Sequence, residues 1–279
     1  MSRTTNPRRI SQVAHQKLAR IAGTRAVAAL FATQASRVER LFFTKDFQTE
    51  AADYCRLLAR RRKPFRMVGP DELARIAGTV LHGGVVALVH ARPVGQFEPD
   101  NAREWARDGE LLLLLDGIGN PHNLGAIART AAFFGLPRLV LSDHPAQAMP
   151  SDASHRVAEG GLEFLEVYGA SRFAATLAEL ARFYLVVGAS AEGGQPIEML
   201  PQSDRPIALV LGNEEHGLPA ATLKACDRLV TIDGAGSVQS LNVAASAAVL
   251  VHALVGRHSQ APGRRLRALG RRLRAPERC

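Results

Sequence analysis

Cysteine is scarce in this chain of 279 residues: only Cys55, Cys226 and Cys279 occur. They form no CxxC pair and no Cys/His cluster, so the spacing gives neither a zinc site nor a disulfide framework and favours a reducing, cytoplasmic compartment. Aromatic residues make up 5% of the chain, with a single tryptophan, which argues against an interface built on base-stacking platforms. No apolar run is long and uninterrupted enough to span a bilayer. The first ten residues are polar and basic, without the apolar core of a signal peptide. What remains is ordinary for a folded protein: 47% hydrophobic and 22% charged residues. The length allows one large domain or two modest ones, each with a real core.

Lysine is also rare. Of the 35 basic residues only Lys17, Lys45, Lys63 and Lys224 are lysines, and the net charge is +9. Arginine suits planar, bidentate contacts to phosphate, so a nucleic-acid partner is one reading of the excess; GC-rich codon usage is the other. The charge is concentrated at the ends. Residues 1–20 carry +5 and 257–279 carry +7, which leaves −3 for the stretch between. The last segment follows Pro262-Gly263 and reads as a basic amphipathic helix or a disordered arm, either of which RNA would neutralise with release of counterions. A solvated tail without a specific partner is the plainer alternative.

The pattern divides the chain into a basic arm over 1–17, a small α/β domain over 18–92, a linker over 93–110, a second α/β domain over 111–256 and a basic tail over 257–279. In the first domain a helix is expected over 16–32, interrupted at Gly23, and another over 50–62. Strands are expected over 38–44, 65–68 and 85–89. Pro70, Asp71 and Glu72 open a further helix. The heptapeptide Leu18-Ala19-Arg20-Ile21-Ala22-Gly23-Thr24 recurs at 73–79. Its flanks do not match, so coincidence is a better reading than an internal repeat. Trp105 in the linker reads as a packing anchor.

From Leu111 onwards, unalternating apolar runs at 111–115, 138–141, 184–187, 207–211 and 229–232 read as strands buried on both faces. Helical stretches at 125–134, 171–182, 218–225 and 241–255 separate them. This alternation predicts a parallel sheet with helices on both sides, in which ligands bind beyond the carboxyl ends of the strands.

Three strand ends carry unusual residues. The first is Asn120-Pro121-His122-Asn123-Leu124-Gly125, with Arg129 following inside a helix otherwise fit for burial, where a charge needs a partner or a ligand. Asn123 reads as the helix cap. The second is Leu211-Gly212-Asn213-Glu214-Glu215-His216-Gly217; Gly212 would let a ligand approach the backbone. The third runs from Ile232 through Gly236 to Ser240-Leu241-Asn242-Val243, with Ser240 the expected cap of a helix rich in small residues. Each alone fits an ordinary turn or cap; the three in this order are far more specific.

Together they resemble the motifs of the SpoU/TrmH family, in the SPOUT class of RNA ribose 2′-O-methyltransferases. The first motif corresponds to Asn120, Asn123, Gly125 and Arg129; the second to Leu211, Gly212, Glu214 and Gly217; the third to Ile232, Gly236, Ser240, Leu241, Asn242 and Val243. The resemblance covers about 111–255. Residues 18–90 are similar to the family's substrate-binding domain, itself like small RNA-binding ribosomal proteins. Two positions depart from the family pattern, Asp233 and Gln239.

The resemblance implies a trefoil-knotted parallel-sheet domain, a homodimer with the site at its interface, and methyl transfer from S-adenosylmethionine to a ribose 2′-hydroxyl of ribosomal or transfer RNA. It implies catalytic roles for Arg129, Asn123, Glu214, Ser240 and Asn242. Leu211, Gly212, Ile232, Gly236 and Leu241 would hold the cofactor, and Asn120, His155, Arg156 and Arg25 would contact RNA. No metal or membrane is implied. Arg129 could act as a base or as an electrostatic stabiliser of the developing alkoxide. A non-catalytic SPOUT-fold RNA-binding protein or chaperone is the alternative; a nicotinamide-dependent oxidoreductase is disfavoured because GxGxxG is absent.

Overall fold

The structure is a computed structural model that describes residues 18–237 and 240–259. The first half holds β1 (Ala19–Ala22), α1 (Thr24–Gln34), β2 (Val38–Phe43), α2 (Gln48–Arg60), β3 (Phe65–Met67), α3 (Pro70–Ala77) and β4 (Val85–Val89). Then come β5 (Gly95–Gln96), α4 (Ala102–Arg107), β6 (Leu112–Asp116), α5 (Pro121–Phe133) and β7 (Arg138–Leu141). They are followed by α6 (Asp152–Ala158), α7 (Gly161–Phe164), β8 (Glu166–Gly169), α8 (Phe173–Leu180) and β9 (Leu185–Ala189). The chain continues through β10 (Gln195–Pro196), β11 (Ile207–Gly212), α9 (Ala220–Ala225), β12 (Arg228–Thr231) and α10 (Val243–Ser259).

The strands form two sheets. A four-stranded sheet has the order β1-β4-β2-β3, and an eight-stranded sheet has the order β10-β12-β9-β11-β6-β7-β8-β5. Every pairing in the larger sheet is parallel. The leucines of β6 explain its unalternating sequence. Leu113 and Leu115 enter a core shared with α5 and α10, whereas Leu112 and Leu114 enter a second core shared with α4 and α8. A strand covered on both faces has no polar side to present.

Several boundaries differ from those expected. Residues 19–22 form a strand paired antiparallel with 86–89, not the first turn of a helix. The two copies of the repeated heptapeptide therefore fold differently: 19–22 is β1, and 73–77 lies in α3. Pro70, Asp71 and Glu72 start a helix before the second copy, and Gly78 closes it with φ +68°. Gly23, at φ 104° and ψ 145°, instead carries the chain from β1 into α1. The expected linker over 93–110 contains β5, which pairs with β8 at the edge of the large sheet, and α4. Trp105 packs there against Phe97 and Tyr168 with Arg138 over its ring. The helices α6 and α7 and the strand β8 were not anticipated.

The small sheet sits against the large one through α6 and α7, which pack on β1 and α1. Gly160 makes this approach possible: a Cβ there would lie 2.7 Å from Ala29 Cβ. A buried polar cluster crosses the same seam. Glu163, 1% exposed, lies 2.7 Å from Arg37 Nη1 of the small-sheet unit and 3.1 Å from His155 Nδ1 of α6. Burial alone would raise the Glu163 carboxyl, but the contacts to His155 and Arg37 outweigh it, and its pKa is net lowered.

Candidate active site

Three loops meet at the carboxyl ends of adjacent parallel strands. They follow β9 (Ala189, Ser190, Ala191), β11 (Gly212 to Gly217) and β12 (Ile232, Ser240 and Leu241), and with the start of α10 they line an open cavity of about 220 Å³. The placement is the one expected for an open parallel sheet. Its apolar wall includes Leu211, Val230, Ile232, Leu241, Val243 and Leu250; Ser190, Glu214, Glu215, Ser240 and Ser246 add polar groups.

The β11 loop is held by its own backbone. Asn213 and Gly217 exchange two main-chain hydrogen bonds, of 3.0 and 2.9 Å. A Cβ on Gly212 would come within 2.5 Å of Gly217 C. Gly212 is therefore required by the loop folding back on itself, and its backbone also lines the cavity. Asn213, which the sequence did not single out as functional, pins the loop. Its Nδ2 donates to Gly117 O at 2.9 Å, and its Oδ1 accepts from the amides of Glu215 and His216.

The three motifs are joined by one chain of hydrogen bonds. Asn242 Oδ1 accepts from Ala244 N at 2.9 Å, so Asn242, and not Ser240, provides the side-chain cap of α10. Asn242 Nδ2 donates to Asn123 Oδ1 at 3.2 Å, and Asn123 Nδ2 donates to Glu214 Oε1. Each amide uses both ends, which fixes its orientation and that of the carboxylate. Asn123 is thereby committed to the relay. The cap of α5 is Asn120, whose Oδ1 accepts from His122 N at 2.8 Å. Gly125 permits α5 to touch α6: a Cβ there would lie 2.5 Å from Ser154 O.

Leu211, Gly212, Glu214, Ile232, Ser240 and Leu241 line the cavity. Gly236 is exposed, and a Cβ on it would have no neighbour within 4 Å. Arg129 is exposed on α5, away from the burial its helix suggested; its Nη1 pairs with Glu159 Oε1 at 3.1 Å. It lies six residues along the helix from Asn123 and, among the described residues, forms no hydrogen bond or ion pair with the cavity lining. Arg25 also meets Glu159, at 2.8 Å to Oε2. Arg156 is partly exposed. His155, expected to face phosphate, is 13% exposed and turned onto Glu163, because α6 presents that side to the seam between the sheets.

The residues suit S-adenosylmethionine in kind. The cavity offers apolar wall for an adenine and ribose, and two carboxylates, Glu214 and Glu215, to complement a cationic donor.

The profile of the SpoU rRNA methylase family matches residues 110–252, and that of the RNA 2′-O ribose methyltransferase substrate-binding domain matches 20–94. The 23S rRNA (guanosine-2′-O-)-methyltransferase RlmB of Nitrosomonas europaea is 35% identical over 195 residues, 69% of this chain and 74% of that one. RlmB of Acinetobacter baylyi is 34% identical over 238 residues, 82% of this chain and 94% of that one. Among solved structures, the SpoU methyltransferase AviRb of Streptomyces viridochromogenes in complex with AdoMet superposes with a TM-score of 0.67 at 25% identity, covering 88% of this chain and 91% of that one. On these matches, and with the motif residues assembled as described, the chain belongs to the SpoU rRNA methylase family and is an RNA 2′-O-ribose methyltransferase that uses S-adenosylmethionine.

Proposed function

We propose that the enzyme methylates the ribose 2′-hydroxyl of a guanosine in 23S rRNA, as the names of its RlmB relatives state for those proteins, and that it works in the cytoplasm as a homodimer. The observation that carries the catalytic reading is the relay Asn242–Asn123–Glu214, which ties the three strand-end motifs together at the rim of the cavity. S-adenosylmethionine supplies an activated methyl group on a sulfonium, so positioning dominates the barrier. Leu211, Ile232 and Leu241 would hold it with the backbone around Gly212, and Glu214 would keep a negative charge beside it. The guanidinium of Arg129 would stabilise the alkoxide that develops on the attacking 2′-oxygen as its proton passes to water, and would hold an adjacent phosphate.

Leu241, Ala245 and Val249 are exposed at intervals of four residues entering and along α10, and Phe133 is exposed at the end of α5, which packs on α10. An apolar stripe of this kind suits a second copy of the chain. It also suits a shared site in which Arg129 of one copy serves the cavity of the other. The order β9-β11-β6, with 240–243 returning beside the end of β11, supports the knotted path of the family.

Arg129→Ala is expected to abolish transfer of tritiated methyl from S-adenosylmethionine to 23S rRNA while calorimetry still registers cofactor binding. Ser190→Trp, which fills the cavity, is expected to abolish both. Mixed dimers of the two variants should regain part of the activity. Full activity in Arg129→Ala would remove that residue from the mechanism. Failure of the mixture would place the site within one chain. Binding of rRNA without any methyl transfer by the wild type would favour the chaperone reading.

A further inference from the structure

Glu159 occupies an unusual place. Its carboxylate is held between two guanidiniums from different units: Arg25 of α1 on the small sheet, 2.8 Å from Oε2, and Arg129 of α5 on the large one, 3.1 Å from Oε1. The backbone forces this position. Glu159 has φ +45°, a left-handed conformation in which glycine or asparagine is cheaper than glutamate. The next two residues are clamped on either side. A Cβ on Gly160 would lie 3.1 Å from Arg25 O, and a Cβ on Gly161 would lie 2.9 Å from Arg129 Cα. The segment is wedged between the two helices that carry the arginines, and the carboxylate falls between their side chains.

The pairing adds little to stability. Glu159 is 39% exposed, Arg129 52% and Arg25 75%, and ion pairs so open to water contribute little. The arrangement has another property. Two guanidiniums converging on one anion form a receptor for a phosphodiester, whose paired non-bridging oxygens match the geometry of a carboxylate.

We propose that Arg25 and Arg129 form a phosphate site for the RNA backbone, that Glu159 fills it in the free enzyme, and that the substrate's phosphodiester displaces Glu159 when it binds. The proposal rests on the reading of Arg129 as a catalytic residue. It adds that this arginine is occupied by an internal carboxylate until an RNA spans both units, so an RNA that fails to reach Arg25 meets a competitor at Arg129. Glu159 thereby acts on selectivity for the substrate.

The test compares wild type, Glu159→Gln, Arg25→Ala and the double variant, all checked for an unchanged melting temperature. Binding of a 23S rRNA transcript is measured by filter retention over a series of KCl concentrations, and methyl transfer by tritium incorporation. Glu159→Gln is expected to bind RNA at least threefold more tightly, with a correspondingly lower KM. Its log Kd should depend more steeply on log [KCl], because the phosphate then displaces chloride from the arginines instead of a carboxylate that takes up potassium on release. The gain should disappear when Arg25→Ala is added. Unchanged affinity and salt slope in Glu159→Gln overturn the proposal, as does a fall in kcat with RNA affinity unaltered, which would make Glu159 a support for Arg129. Failure of the catalytic reading is seen separately, as activity retained in Arg129→Ala.

Discussion

The residue that reports on the seam between the two sheets is Glu163. Its pKa is lowered in the folded protein because His155 and Arg37 favour the charged form more than burial opposes it. A depressed carboxyl contributes stability that is complete above its unfolded value, near 4.3, and is lost as the pH falls through the folded value. Glu163→Gln leaves Arg37 and His155 facing a neutral amide. It should destabilise the protein by about 3 kcal/mol at pH 7, as expected for breaking a buried pair. The gap should narrow below about pH 4, where the wild type also loses the charge. Melting temperatures of both proteins between pH 3 and 7 check this, and a gap independent of pH would show that the charge does not hold the seam. The site shows a second point at this scale. The sequence points to Asn123 as the cap of α5; the cap is Asn120 instead, because Glu214, 91 residues away, draws Asn123 into the relay.

At the scale of elements, the repeated heptapeptide marks the limit of local reading. The same heptapeptide contains the four residues of β1 beside β4 in one copy and the last five residues of α3, behind Pro70, in the other. Neighbouring residues and a pairing partner decide between them, because propensity is identical in the two copies. The buried strands β6, β7, β9 and β11 were legible because their apolar runs have no polar alternation; β12 carries a similar run although only its Val230 is buried. The helices α6 and α7 were not, since they are short and amphipathic against a seam that exists only once both sheets have formed. The order of the three motifs was readable from spacing, but the hydrogen bonds joining them depend on strands brought together by topology. Gly125 is a case where a motif residue acts through packing. A methyl group at that position would press on Ser154 O at 2.5 Å and on Val157 Cβ at 2.9 Å, so α5 and α6 would have to separate. Gly125→Ala should destabilise by about 1–3 kcal/mol, the usual range for overpacking. Because α5 also carries Asn123 and Arg129, methyl transfer should fall with it. Denaturant titration and the tritium assay measure the two effects. An unperturbed midpoint in denaturant would show that the helices can yield.

At the scale of the whole molecule, the charge is divided between the ends and the middle. The segment 257–279 carries +7 in sequence, and all but its first three residues lie outside the described region. Removal of 260–279 should weaken binding to a 23S rRNA transcript and flatten its salt dependence, with cofactor affinity unchanged. An identical salt slope in the truncated protein would assign the arginines to codon usage.

The short strand β5 gives the connection between the units a different character from a flexible tether. Because Gly95 and Gln96 are hydrogen-bonded into the edge of the large sheet and Gly160 seats α1 on the other side, the small unit is stitched at two points. On the proposed function, the interval from Arg25 to the cavity would then act as a ruler. Such an enzyme would measure its RNA by fixed distance and favour those whose target nucleotide and distal backbone are already folded to the right separation.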